Sequence, residues 1–184
     1  MSHISESIDV DVPVRVVYDQ WTQFESFPEF MDGVERVQQV DDTTVDWKAT
    51  IAGRTKEWRA RITEQEPDTL VAWRSIDGAR NDGAVSFESL SAGRTRVTLD
   101  LDVEPDGAIE SAGDALGIVE GRVRGDLERF KTFIEGRQVA TGAWRGEVQG
   151  GQPTGAGADS GPGSSTGSGQ FTSYDEVRKG GGTE

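Results

Sequence analysis

The chain has no cysteine and one histidine, His3, close to its start. That excludes disulfides, thiolate nucleophiles, zinc sites of the usual Cys/His kind and any histidine-based triad. Basic clusters are also missing from a chain whose formal charge is −14, so a surface tracking nucleic-acid phosphates or an anionic membrane is not expected. No apolar stretch is long enough to span a bilayer, so stable membrane insertion is not expected. The start Met-Ser-His-Ile-Ser-Glu has no cationic segment followed by an apolar run, which makes the cytoplasm the expected location. No glycine-rich phosphate loop follows a strand, and neither a cofactor nor a metal is expected. The acidity reads as a matter of solubility rather than of a partner.

What the chain does have is a long amphipathic stretch from Asp106 to Gly136. Ile109, Ala112, Leu116, Val119, Val123, Leu127, Phe130 and Ile134 are spaced by three or four, which predicts one apolar stripe on a long helix. A helix of this length needs a wide surface, and the alternating segments before it predict an antiparallel sheet of about six or seven strands. The fold class is therefore α+β, a curved sheet wrapped around a C-terminal helix. Gly113, Gly117, Gly121 and Gly125 recur every fourth residue of that helix. They are either a by-product of a glycine-rich composition or a device that softens the helix to admit a ligand.

Residues 3 to 12 alternate as a half-buried strand, with Ile4, Ile8, Val10 and Val12 inward. Glu6 shares their face, as an edge residue reaching water or as a polar group lining a cavity. Two short helices follow: Pro13 suits a first turn with Asp11 as its cap, and Phe24, Phe27 and Phe30 continue around Pro28. Further on, Val45, Trp47, Ala49 and Ile51 alternate, as do Trp58, Ala60 and Ile62. A Gly53-Arg54 turn would pair Ala49 with Trp58 and Trp47 with Ala60, and would send Arg59 and Arg61 outward. Trp73 then falls beside Ile62 and Ser75 beside Ala60. Val97, Leu99, Leu101 and Val103 point inward in the last strand.

Thirteen of the 24 glycines lie in residues 139–184, and a disordered Gly/Ser-rich tail is expected over 138–184 after one domain at 1–137. Two islands interrupt it, Gly142 to Gly146 and Phe171 to Lys179. They are either segments that dock a protein partner or incidental aromatics. Proton-transfer chemistry would fall to polar residues turned inward: Glu6, Ser75, Asp77, Ser89 and Tyr18, with Arg59 as a further candidate if the hairpin register differs.

The helix-kink segment Val17 to Met31, Phe30 to Val37, Trp58 to Ile62, Ala72-Trp73-Arg74 and Gly125 to Lys131 together resemble the helix-grip proteins of the START-related (SRPBCC) superfamily. The closer resemblance is to the polyketide cyclase/dehydrase and lipid-transport branch with its coenzyme Q-binding START-like members. It covers residues 1 to 137. It implies a deep cavity between sheet and helix for a small hydrophobic ligand such as a lipid, a quinone or an aromatic polyketide. Trp47, Trp58, Trp73, Phe87, Leu99, Leu116, Val119 and Val123 would line that cavity. The residues alone allow either this or a solid core. The branch also contains aromatase/cyclases, so an enzyme that enolises and dehydrates a poly-ketone is the alternative, and a scaffold with a partner-recruiting tail is a third.

Overall fold

The fold is described from a computed structural model over residues 2–51, 53–104 and 112–154, with side chains in the last segment described from residue 116 onward. In chain order these residues form β1 (Ser2–Val10), α1 (Val14–Trp21), a 3-10 helix (Phe24–Glu29), β2 (Val34–Gln39), β3 (Thr44–Ile51) and β4 (Arg54–Glu66). Next come β5 (Leu70–Gly78), β6 (Asn81–Ser91), β7 (Arg94–Val103), α2 (Ala112–Arg137), β8 (Val148–Gln149) and β9 (Gln152–Pro153). The main sheet runs β1-β7-β6-β5-β4-β3-β2 with every neighbouring pair antiparallel. Its edge strands, β1 and β2, are joined in sequence through α1 and the 3-10 helix, and α2 lies against the concave face. This is the helix-grip arrangement expected from the sequence.

The alternation in β1 holds: Ile4, Val10 and Val12 are buried, and Ile8 packs half-buried against the same core. Pro13 stands at the N-cap of α1 rather than inside its first turn, and no side chain caps that end. Asp11 instead spends its backbone N–H on Glu135 Oε1 of α2, at 2.9 Å. Pro28 lies within the 3-10 helix, whose tighter turn brings Phe24 and Phe27 into the core beside Phe30. Trp21, Phe27, Phe30 and Phe130 meet there at centroid distances of 5.1 to 6.2 Å, tilted or edge to face.

In the β3–β4 hairpin each partner is shifted by two residues from the register the sequence suggested. Trp47 faces Trp58, Val45 faces Ala60 and Ile51 faces Arg54. A shift of two residues leaves every side chain on its expected face, because the side-chain period of a strand is also two. It does change the partners, so that Arg59 meets Asp46 instead of Lys48. In the β4–β5 pair Trp73 lies beside Ile62 and Ser75 beside Ala60, as expected.

Burial along α2 is uneven. Phe130 and Ile134 are fully enclosed and Leu127 nearly so, whereas Leu116 and Val119 are only partly covered. The C-terminal half of the helix packs solidly against the aromatic seam. Its N-terminal half stands away from the sheet, and the space beneath it is the cavity described below.

The packed chain continues past the expected boundary at 137. β4 outlasts β3, whose pairing ends at Arg61, and β8 covers the edge this leaves, with Gln149 beside Glu64 and Val148 beside Gln65. Val148 is 1% exposed. The island at Gly142 to Gly146 docks on the protein's own α1. Trp144 N–H donates to Thr22 Oγ1, Thr141 N–H to Gln20 Oε1, and Arg145 bridges Asp19 (2.5 Å) and Asp68 (2.8 Å). The second island, Phe171 to Lys179, lies outside the described residues, as do Ile109 and the first turn expected for the long helix.

Candidate functional site

Alternation along β4 turns Arg54, Lys56, Trp58, Ala60 and Ile62 to the concave face in one row, and all five line a cavity of about 350 Å³ under the N-terminal half of α2. Trp47 on β3 stacks on Trp58 with centroids 5.5 Å apart and planes 9° from parallel. Trp73 on β5 extends this aromatic wall, its indole N–H donating to Asn81 Oδ1 at 3.1 Å. Leu99 on β7 and Leu116, Val119 and Val123 on α2 close the other side. Seven of the eight expected lining residues therefore meet around one space. Phe87 does not: it sits in the solid part of the core, edge-on to Tyr18 at 5.5 Å and to Trp21 at 6.4 Å.

None of the six residues singled out for proton transfer borders the cavity. Glu6 takes neither of the two expected positions, because Arg124 of α2 reaches over and pairs with it at 2.6 Å. Ser75 Oγ donates to the Asn81 carbonyl at 2.9 Å and accepts that residue's N–H at 2.7 Å, which fixes the β5–β6 connection. Arg59 is on the convex face, held by both Asp46 oxygens at 2.6 and 2.8 Å. Of the others, Ser89 is exposed, and Asp77 accepts the neighbouring Gly78 N–H. Tyr18 is fully buried, its hydroxyl accepting from Gln65 Nε2 at 3.1 Å, and burial pushes its pKa up to about 12.

Among the polar groups that line the cavity are Arg122 and Asp126, one turn apart on α2. Arg122 donates to the carbonyls of Thr50 and Asp32, tying the helix to the β2–β3 end of the sheet. Asp126 accepts from the Asp32 N–H at 2.8 Å and pairs with Arg129. Burial nonetheless pushes its pKa above the ordinary carboxylate value, against the lowering effect of those hydrogen bonds and of the arginines. The signal for Asp126 was present in the sequence. It lies three residues after Val123 and one before Leu127, which sets a carboxylate on the apolar stripe.

Two further donors are unsatisfied: among the described residues no acceptor reaches the indole N–H of Trp21 or of Trp58, although both rings line the cavity and both N–H groups are sealed from water. Among the described residues no group of three or more His, Cys, Asp or Glu is placed to hold a metal ion, and no helix is long and apolar enough to cross a membrane.

Residues 10–132 match a family model described as polyketide cyclase / dehydrase and lipid transport. An uncharacterised 17.2 kDa protein of Streptomyces lincolnensis is 51% identical over 149 residues, which cover 80% of this chain and 99% of that protein. Among solved structures, an aromatase/cyclase from Streptomyces sp. R1128 superposes with a TM-score of 0.62 at 18% identity, covering 77% of this chain and 98% of its own. A START superfamily protein from Mycobacterium smegmatis gives 0.59 at 15% identity, over 73% and 95%. A Deinococcus radiodurans protein gives 0.58 at 25% identity, over 73% and 98%. The two matches below 25% identity speak for the fold alone.

Proposed function

The chain belongs to the polyketide cyclase/dehydrase and lipid-transport family, and from that premise we propose that it binds a small hydrophobic ligand in the cavity between the sheet and α2. The observation that carries this reading is the tryptophan-walled space itself. A solid core would close around Trp47, Trp58 and Trp73, since interiors pack to the density of organic crystals. Here a mostly apolar hollow of about 350 Å³ is kept open under one half of a helix whose other half packs tightly. That combination of apolar walls and a few convergent polar groups suits a small-molecule site. The stacked tryptophans offer a flat face to an aromatic or polyene body.

Filling the space tests this. Leu116→Trp or Val119→Trp should abolish the change in tryptophan emission caused by an apolar ligand while the thermal transition stays cooperative. Uptake that persists through both substitutions would place the ligand elsewhere.

A second reading is favoured by one observation, the cavity-lining carboxylate of Asp126 with its raised pKa. In a cyclase/dehydrase this group, beside Arg122, is the one placed to take a proton from the carbon between two carbonyls. Turnover of a model poly-ketone thioester that falls in Asp126→Asn, with ligand affinity kept, would support an enzyme. Absence of turnover in the unaltered protein would leave the binding reading alone.

A further inference from the structure

The inward row of β4 changes character along its length: Ile62, Ala60 and Trp58 are apolar, and then come Lys56 and Arg54. Concave positions are costly places for charge unless they open to water or meet a counter-ion. Both cations lie at the end of the row nearest the β3–β4 turn, where Arg54 is exposed and Lys56 half-buried. Extending the pairing of Trp58 with Gly78 by two residues brings Arg80, at the β5–β6 connection, beside Lys56 on the same rim. Ile118 of α2, 55% exposed, also lines the cavity.

Among the described residues two acids border the cavity. Glu104 is exposed at the end of β7, and Asp126 is already engaged by Arg129 and the Asp32 N–H. Arg80 shares Asp82 with Arg74, at 3.1 and 4.0 Å. Among the described residues the Arg54 side chain has no hydrogen-bond or ion-pair partner, in a chain with 33 acidic residues against 19 basic. An exposed arginine on the lining of an apolar cavity, unpaired among the described residues of so acidic a protein, can serve as the counter-charge of an anionic ligand.

We infer that the ligand is an amphiphilic anion. Its apolar body lies between the tryptophan wall and α2, and its carboxylate, sulfonate or phosphate group sits at the rim against Arg54 and Arg80. This rests on the cavity reading given above and goes further by fixing the ligand's charge and its orientation. The body enters first and the anion stays at the rim, where desolvation is least.

The test uses two fluorescent probes that share an aromatic body. 1-Anilinonaphthalene-8-sulfonate carries an anion and N-phenyl-1-naphthylamine does not. Both are titrated into the full chain and into the double variant Arg54→Glu with Arg80→Glu, at low ionic strength. The expected result is that the ratio of the two dissociation constants moves by about tenfold toward the neutral probe in the variant, and that the shift shrinks as added salt screens the rim. The neutral probe should bind both proteins alike. A ratio that does not move would overturn the anionic-ligand inference while leaving the cavity reading intact. Failure of both probes to brighten with the unaltered chain would overturn the cavity reading itself.

Discussion

Trp47 and Trp58 lie directly opposite each other across the β3–β4 pair, stacked 5.5 Å apart and 9° from parallel, at the wall of the cavity. Two indoles so placed couple their transitions, so the far-ultraviolet circular dichroism should show an exciton couplet. Trp47→Phe should remove the couplet while the chain stays folded, and an apolar ligand seated against the pair should perturb it in the unaltered protein. A spectrum that Trp47→Phe leaves unchanged would contradict the stacking.

The segment after α2 should stabilise the domain. Arg145 bridges Asp19 and Asp68 and lies over the Tyr18 ring at 5.5 Å, with side chains only partly open to solvent. Arg145→Ala leaves Asp68 without its cation and Asp19 with only the exposed Arg15 at 4.0 Å, and should cost about 1–3 kcal/mol, discounted for that partial exposure. A chain ending at Arg137 should melt well below one ending at Thr154, since it also loses Trp144 and the buried Val148. Equal melting temperatures for the two truncations would show the segment to be dispensable.

Alkaline pH should expose the burial of Tyr18. Its folded pKa of about 12 lies above the ordinary value of 10.0, so the folded chain holds this proton more tightly than the unfolded chain does. The stability this gives is complete below the unfolded value and is lost as pH rises through the folded one. The loss corresponds to roughly 2–3 kcal/mol between those two values. Tyr18→Phe should flatten the decline in that window, measured by denaturant unfolding at a series of pH values. A decline of the same depth in the variant would assign it to other groups.

Gly117 and Gly121 have open space where a Cβ would stand. No packing requirement opposes alanine at these helix positions, and each replacement should gain about 1 kcal/mol. The double variant should melt about 4 to 6 °C higher. If the glycines exist to soften the helix over the cavity, the same variant should also take up ligand more slowly. A higher melting temperature with unchanged uptake would assign the glycines to composition.

The fold was legible because its signals are periodic. The stripe on α2 and the inward rows of β1, β3, β4 and β7 each repeat over several residues, and a two-residue error in one hairpin register left all of them intact. The cavity wall was legible for the same reason: Trp47, Trp58 and Trp73 lie on inward rows whose parity the sequence fixes. What was not legible depends on contacts between distant residues. Glu6 shares the apolar face, and only the arrival of Arg124 from α2, 118 positions away, explains how its charge is met. Phe87 has the same parity as the lining residues but lies farther down the sheet, beside Tyr18, where there is no space. The docking of Trp144 and Arg145 was hidden by the composition around them. Their partners Asp19, Gln20 and Thr22 read as the polar end of a short amphipathic helix, with nothing to show that they are buried.

Ligand binding requires that the space beneath α2 be filled in the working protein. Native mass spectrometry of the chain purified from its own host, followed by solvent extraction, measures this directly. The expected result is a mass excess that is released on denaturation and identified as one apolar or amphiphilic molecule per chain. A bare chain mass, together with tryptophan emission that ignores a panel of lipids, quinones and aromatic polyketides, would contradict ligand binding.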